Sequence, residues 1–301
     1  MGGQSPPISR GRGGANYSIG VVYCLPDRSV FFASGRTGPH GAFWRDYWTT
    51  RERCLSNIAA NLEAVNRRIS AAAERAGRSA REVTLVAVTK THPLETVIEA
   101  YQAGLRHFGE NRAAEGKAKA AGLVEWLQQT GGEPPVWHLI GHLQSRQVDE
   151  ALGVYPFIHS LDSLKLAQRL DRLAARDNYP PVEVLLQCNV SGEASKSGFE
   201  LAQWSSDKRQ WQNFLETVVQ ISRLDKVVIR GLMTMAPWFD NPAEARPTFQ
   251  SLAALRVRLQ TELPHLDWTH LSMGMSDDFE IAIEEGATLI RVGRILFGER
   301  N

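Results

Sequence analysis

Apolar and polar positions alternate along the chain in a pattern that repeats from residue 51 onward. Just before Gly77, apolar residues recur at intervals of three and four, a period that predicts an amphipathic helix. Its apolar positions are Leu55, Ile58, Leu62, Val65 and Ile69. Beyond that helix, each short β-branched run is followed by a turn and then by a stretch of helical period. The pattern therefore predicts strands and helices in strict alternation.

Eight predicted strands lie between Gly77 and the C-terminus. They are 83–90, 107–110, 136–141, 157–161, 182–190, 227–235, 269–274 and 288–293. Alternating strands and helices predict parallel strands joined by right-handed crossovers, and eight such strands close a TIM-type barrel. An open doubly wound sheet is the alternative, although no Gly-rich phosphate loop follows the first strand. We predict an α/β fold in which residues 51–301 form one (β/α)8 barrel with an extra N-terminal helix.

Residues 1–50 differ in composition from the remainder of the chain. They are rich in Gly, Ser, Pro and Arg and contain only two acids, Asp27 and Asp46. We predict a disordered extension, or a start codon assigned too far upstream. The Arg-rich, acid-poor character is a weaker indication of organelle targeting.

Overall charge and cysteine content narrow the function classes. The formal net charge is +1 over 301 residues, which gives no reason to expect nucleic acid or an acidic membrane as partner. The three cysteines are widely spaced, so neither a disulfide framework nor a zinc site is indicated. No apolar run approaches the roughly 20 residues that span a bilayer. We expect a cytoplasmic protein without a membrane segment.

Nearly every predicted strand ends on polar residues, and the first ends on Lys90. Parallel strands bring their carboxyl ends to one mouth, where barrel enzymes and binding proteins place their sites. A lysine between apolar walls has a lowered pKa and can attack an aldehyde or ketone to form a Schiff base. A lysine that extends its ammonium group to solvent remains the alternative on this segment alone.

The last two strands are followed by glycine-containing loops that precede helical segments. Gly274 lies in the first loop and Gly293 in the second, positions where barrels commonly bind phosphate. A lysine for a Schiff base together with a phosphate loop matches the two ends of pyridoxal 5′-phosphate (PLP). Arg291 would then face the pyridine nitrogen and keep it unprotonated.

Eight motifs in order resemble the pyridoxal phosphate homeostasis protein family. They are AVTKTHP, FGENR, WHLIGHLQS, HSLDSLKLA, NVSGEASKSG, RGLMTMAP, LSMGMSDDFEIAIEEGAT and IRVGRILFG, and they cover about residues 52–300. The resemblance implies a single barrel similar to the N-terminal domain of alanine racemase. It also implies PLP held as a Schiff base on Lys90, with Arg291 at the pyridine nitrogen.

The resemblance assigns further contacts to the cofactor. It implies that Ser276, Gly293 and Arg294 bind the phosphate. Around the ring or entrance it implies Asn111, His142, Met233 and Ser272. The family often has a second lysine where this chain has His92, and a small hydroxyl residue where it has Arg294. Lys196 is retained and lies in a predicted loop at the mouth.

The residues favour a cofactor carrier over an enzyme. The resemblance implies that racemases of this fold use a second base, a tyrosine from another domain, and here the barrel is expected to occupy all residues after 82. Tyr101, Tyr155 and Tyr179 fall outside the predicted mouth. We therefore predict no catalytic residue and no metal, because His138 and His142 should point in different directions.

Three hypotheses follow from these residues. The first is a monomer that binds PLP and supplies it transiently to apo-enzymes. The second is an amino-acid racemase or decarboxylase with an open site. The third is a barrel that binds another sugar phosphate or nucleotide.

Overall fold

The N-terminal helix is longer than the sequence pattern predicts. The structure, a computed structural model, describes residues 41–298, with side chains from residue 57 onward. Helix α1 (Gly41–Arg75) begins ten residues before the predicted start at 51 and ends just before Gly77, whose φ is 65°. The predicted extension 1–50 therefore overlaps this helix over residues 41–50, and its remainder lies outside the described residues.

Eight parallel strands form a closed barrel. The first strand pairs with the second and the last, and the fourth pairs with the fifth, which closes the sheet. This confirms the predicted barrel, and the open sheet is excluded. The strands are β1 (Thr84–Val88), β2 (His107–Glu110), β3 (Val136–Leu139), β4 (Phe157–Leu161), β5 (Val182–Asn189), β7 (Val227–Met233), β8 (His270–Ser272) and β9 (Leu289–Val292), and a short β6 (Phe199–Glu200) pairs with β5 outside the barrel.

Helices follow the strands and cover the outside of the barrel. They are α2 (Leu94–Gln102), α3 (Ala113–Thr130), α4 (Val148–Ala151), α5 (Leu164–Arg176), α6 (Lys208–Ile221), α7 (Arg246–Glu262), α8 (Phe279–Glu284) and α9 (Arg294–Phe297). Each occupies a stretch of helical period that follows a predicted strand, but the stretch after β3 is a 3₁₀ turn (Ser145–Gln147) followed by the four-residue α4. None of the helices in the described part is both long enough and apolar enough to cross a bilayer.

The inside of the barrel is filled by a small apolar cluster and by polar side chains. Val86, Phe157, Leu185, Met233 and Leu289 form the apolar cluster. A much larger apolar core lies between the strands and the helices. Side chains at alternate positions of each strand point into the barrel. Because the strands are parallel, the residues at their carboxyl ends lie together at the mouth.

Helix α1 packs against the two short helices that follow the last strands. Asn61 Nδ2 donates to the carbonyl of Leu296 at 3.0 Å, and Arg75 Nε lies 2.7 Å from Glu284 Oε1. Arg68 pairs with Glu280. These contacts tie α1 to α8 and α9, which follow the two glycine loops of the predicted phosphate site.

Candidate functional site

A pocket of about 400 Å³ opens at the carboxyl ends of the strands. This volume lies within the roughly 300–1,000 Å³ range of small-molecule sites. The residues that line it are Val88, Lys90, Asn111, Ile140, Gly141, His142, Gln187, Ser197, Met235, Met275, Ser276, Asp277, Arg291, Gly293 and Arg294.

Lys90 lies in a tight turn directly after β1. The amide of His92 donates to the carbonyl of Thr89 at 3.0 Å, which closes the turn around Lys90 and Thr91. Thr91 has φ of 68°, a left-handed conformation that costs a β-branched residue of order 1–3 kcal/mol. Other contacts must hold this strained turn in place. Lys90 is half-buried and lines the pocket, whereas the lowered pKa expected for it remains a prediction.

A buried ion cluster holds the turn on both sides of Lys90. Lys119 Nζ lies 2.9 Å from Glu110 Oε1 and 2.7 Å from Glu115 Oε1. It also donates to the carbonyl of Thr89 at 2.8 Å. Glu115 Oε1 accepts the amide of Thr91 at 2.6 Å. Because the residues before and after Lys90 are both bonded to this cluster, the direction in which Lys90 enters the pocket is fixed.

Glu110 is the member of this cluster whose burial costs the most free energy. Its side chain is fully buried, and Oε2 has no hydrogen-bond partner. Burial raises the pKa of Glu110 above its ordinary value, while hydrogen bonds from Thr89 and Lys119 act in the opposite direction. A buried carboxylate of this kind depends on its cation. The cluster is therefore an arrangement that positions the turn at a cost in stability.

Arg291, which comes from β9, lines the pocket and is 4% exposed. Its Nη1 donates to Ser272 Oγ at 2.6 Å and its Nη2 to the carbonyl of Thr234 at 2.9 Å. Burial lowers the pKa of Arg291 to about 10, while the Asp278 carboxylate opposes this shift. Arg291 therefore remains charged at neutral pH and offers a fixed cation to the pocket.

The two glycine loops lie on one side of the same pocket. Ser276 and Asp277 of the first loop and Gly293 and Arg294 of the second all line it. Arg294 forms an ion pair with Asp277, which joins the loops. Asp278 Oδ1 accepts the amide of Met275 at 2.6 Å and closes the first loop on itself. The amides at the start of α8 and α9 lack partners within their own helices, as at any helix start.

Gly274 sets the shape of the first loop. Its φ is 91°, and a Cβ there would lie 2.6 Å from Ala282 Cβ and 2.9 Å from Phe279 Cα. Its carbonyl accepts the amide of Arg291 at 3.0 Å. Only glycine fits both the conformation and the close approach to α8.

We expect Gly274→Ala to destabilise the protein by about 1–3 kcal/mol, through backbone strain and a clash with α8. Urea denaturation followed by circular dichroism measures this loss. Gly298→Ala is the control for the backbone term, because Gly298 has φ of 88° with open space around its Cβ position. Equal losses in the two variants would mean that the contact with α8 contributes nothing.

The structure brings most of the predicted site residues together. Lys90, Asn111, His142, Ser276, Arg291, Gly293 and Arg294 all line the pocket. Met233, Ser272 and Gly274 do not appear among its lining residues. Met233 belongs to the apolar cluster below the pocket, and Ser272 bonds the underside of Arg291.

Some lining residues were not among those assigned to the site from sequence. Met235, two positions beyond Met233, packs on the interior cluster and takes the lining position instead. Gln187 donates to the carbonyl of Ser197 at 2.8 Å and so holds the loop after β5 near the mouth. A polar residue inside the apolar run of β5 was the signal that could have revealed Gln187.

His142 and His92 each contact a neighbouring side chain. His142 Nδ1 lies 3.2 Å from Asp162 Oδ2 at the exposed edge of the mouth. His138 lies inside the barrel, so these two histidines point in different directions as predicted. His92 packs on Phe297 with ring centroids 5.0 Å apart. The position where the family often has a second lysine is therefore occupied here by an aromatic contact with α9.

The barrel and its pocket define a protein of the alanine racemase barrel class. A sequence model described as "Alanine racemase, N-terminal domain" matches residues 60–301. An alanine racemase structure from Clostridium difficile is 14% identical with a TM-score of 0.55, over 81% of this chain and 57% of that one. At this identity, the likeness shows the fold alone.

More similar relatives identify the family. The pyridoxal phosphate homeostasis proteins of Aquifex aeolicus and Escherichia coli K12 are 40% and 37% identical, over 81% and 82% of this chain and 99% and 98% of theirs. A structure of PipY from Synechococcus elongatus, described as having PLP bound, is 37% identical with a TM-score of 0.66, over 80% of this chain and 100% of that one. The chain belongs to the pyridoxal phosphate homeostasis protein family.

Proposed function

We propose that this protein binds PLP in the mouth pocket, holds it covalently through Lys90 and supplies it to other proteins. The observation that carries the proposal is that Lys90, the buried cation of Arg291 and both glycine loops line one pocket. The pocket offers an amine for the aldehyde of PLP, a cation for its ring nitrogen and two loops for its phosphate. PipY, the relative described as binding PLP, supports the proposal through its fold and identity.

Each part of the pocket has a separate task in this proposal. Lys90 Nζ would supply the amine that holds the aldehyde as a C=N bond, with loss of water. Arg291 would donate a hydrogen bond to the ring nitrogen and leave it unprotonated, because a guanidinium donates hydrogen bonds but does not release a proton at neutral pH. Ser276, Gly293 and Arg294 bind the phosphate. Asn111 and His142 contact the ring or the entrance.

A role without rapid turnover fits this set of residues. Among the described residues, no tyrosine lines the pocket: Tyr101 donates to the carbonyl of Glu133 and Tyr155 to that of Ala113. Arg291 weakens the ring as an electron sink, which disfavours loss of an α-proton. We propose a monomeric cytoplasmic carrier whose partners are apo-enzymes that need PLP.

Absorbance spectroscopy of the purified protein with added PLP tests the binding proposal. We expect a visible band that borohydride removes, with the added mass located on the peptide that carries Lys90. A protein that shows no such band contradicts the proposal and favours another phosphate ligand. Incubation with L-amino acids in deuterated water tests the carrier role, and α-proton exchange at ordinary enzymatic rates would favour a racemase or decarboxylase.

Arg294 supplies a cationic group where the family often has a small hydroxyl residue. We expect Arg294→Ala to weaken PLP affinity by about three- to tenfold, because a partly exposed cation near a phosphate contributes about 1 kcal/mol. The effect should shrink in high salt. Fluorescence titration at two ionic strengths measures it. An unchanged affinity would show that only backbone groups bind the phosphate at this position.

A further inference from the structure

Three histidines form a continuous hydrogen-bonded line through the barrel to Arg291. His107 Nδ1 lies 3.0 Å from His138 Nε2, and His138 Nδ1 lies 2.9 Å from His159 Nε2. His159 Nδ1 lies 2.8 Å from Ser272 Oγ, which also accepts Arg291 Nη1 at 2.6 Å. We call His107, His138 and His159 the histidine chain. It starts at the first residue of β2, at the end of the barrel opposite the pocket, and ends at Ser272, which contacts Arg291.

Burial keeps these imidazoles neutral. His138 and His159 are 2% and 0% exposed. Burial lowers the pKa of His138 to about 3 and that of His159 well below its ordinary value. Burial also lowers the pKa of His107, which is half-buried. A neutral imidazole has one donor and one acceptor nitrogen, so each member of the chain can donate in one direction only.

The three imidazoles are linked head to tail, so the protons of the histidine chain can be arranged in two ways, which are its two states. In one state, Ser272 donates to His159, and every imidazole carries its proton on Nε2 and donates away from the pocket. In the other, every imidazole carries its proton on Nδ1 and donates toward Ser272. In that second state, Ser272 Oγ accepts from both His159 and Arg291, and its own hydroxyl hydrogen needs a third partner.

The charge of Arg291 selects between these states. The two hydrogen bonds of its Nη atoms go to a hydroxyl and a carbonyl, both of which are neutral groups. In the first state, the dipoles of the hydroxyl and of the three imidazoles all present their negative ends toward the guanidinium. Aligned dipoles of this kind stabilise a buried charge, as they do at the end of a helix. In the second state they would oppose it.

We propose that the histidine chain is a positioning relay for Arg291. It keeps Ser272 oriented as an acceptor, stabilises the buried guanidinium and so fixes the cation that the pocket presents to a ligand. The identification of the ligand group as a ring nitrogen rests on the proposed function. The proton arrangement of the histidine chain does not. His270 lies beside the chain with its Nδ1 3.3 Å from Thr288 Oγ1, and is not part of the line.

Nitrogen-15 NMR of histidine side chains in the full-length protein without cofactor tests the orientation. We expect His138 and His159 to be neutral, with one tautomer that carries the proton on Nε2. In Arg291→Met the cation is removed, and we expect both tautomers to be populated at His159. Nδ1-protonated rings in the unmodified protein, or identical tautomers in the two proteins, would overturn the proposal.

A pair of substitutions at His159 tests the positioning role. Asparagine can place a carboxamide oxygen near the position of Nδ1 and still accept from Ser272, whereas leucine cannot. We expect His159→Leu to weaken PLP affinity about tenfold and to shift the visible band, and His159→Asn to retain much of both. His265→Gln, at an exposed histidine, is the control. Equal losses in both His159 variants would show that the ring acts only by filling space.

These experiments distinguish failure of the relay proposal from failure of the proposed function. If the unmodified protein forms no borohydride-reducible band, the PLP proposal fails, while the NMR result still decides the orientation of the histidine chain. If the band forms but the tautomers do not respond to Arg291→Met, only the relay fails.

Discussion

Replacing Lys90 with alanine should abolish the visible, borohydride-reducible band of the PLP-loaded protein. Alanine has no amine to condense with the aldehyde, and the other groups that line the pocket, Arg291 and Arg294 among them, form no C=N bond at neutral pH. We expect the remaining PLP to bind without a covalent bond and to be lost on gel filtration. Absorbance spectra before and after borohydride, with mass spectrometry of the intact protein, measure the result.

Two further variants make the Lys90 prediction specific. Lys90→Arg keeps the positive charge but cannot form the bond, so it should behave like alanine in spectra while retaining more phosphate affinity. Lys208→Ala removes an exposed lysine that does not line the pocket and should leave the band unchanged. A band that persists in Lys90→Ala would contradict covalent attachment at this residue and would direct attention to Lys196 in the loop after β5.

Replacing Lys119 with methionine should destabilise the protein by about 3–5 kcal/mol at pH 7. The substitution leaves the buried carboxylate of Glu110 without its cation, and breaking a buried pair on one side carries a cost of this size. It also removes the bond from Lys119 to the carbonyl of Thr89, next to Lys90. Urea denaturation measures the loss, and a weakened PLP band in the folded variant would report the displaced turn.

The sign of the pH dependence gives a second measurement. Burial already raises the pKa of Glu110, and loss of Lys119 removes a group that lowers it. A carboxyl whose pKa is raised in the folded state stabilises most below its unfolded value and loses this contribution as pH rises through the folded value. The deficit of Lys119→Met should therefore be smaller at pH 5 than at pH 8.

Matched controls separate the buried cluster from ordinary ion pairs. Arg67→Met breaks an exposed pair with Glu63, whose side chains are 67% and 73% exposed, and should change stability by less than about 1 kcal/mol. Lys119→Met combined with Glu110→Gln should recover part of the loss, because no buried charge remains. A double variant as unstable as the single one would show that packing, and not charge, explains the effect.

The strands were predictable because their signal is local. The run 83–88 is mostly apolar, rich in β-branched residues and bounded by Glu82 and Thr89, and strand β1 lies within it. The predicted first strand extended two residues too far, because Thr89 and Lys90 belong to the turn that follows β1. Lys90 was identified for the same local reason, since it is the first charged residue after a buried strand. The glycine loops were identified because they follow the last two strands of eight.

Only the tertiary structure determines how deep each of these side chains lies inside the barrel. Met233, the last residue of β7, and Met235 are two residues apart, so the period of two expected for a strand predicts the same side for both and cannot separate them. The closed barrel places Met233 in the interior cluster and Met235 at the pocket. Ser272 was expected near the ring, but it lies one layer lower, where it supports Arg291.

The sequence by itself determined the barrel, the lysine at its mouth and the loops opposite, because each depends on the order of residues along a short segment. The ion cluster beneath Lys90 and the histidine chain beneath Arg291 depend on contacts between different elements. His159 and Ser272 are 113 residues apart, yet their side chains share a hydrogen bond. Only closure of the sheet brings such residues together, and it is this closure that determines what holds the two charged groups of the pocket in place.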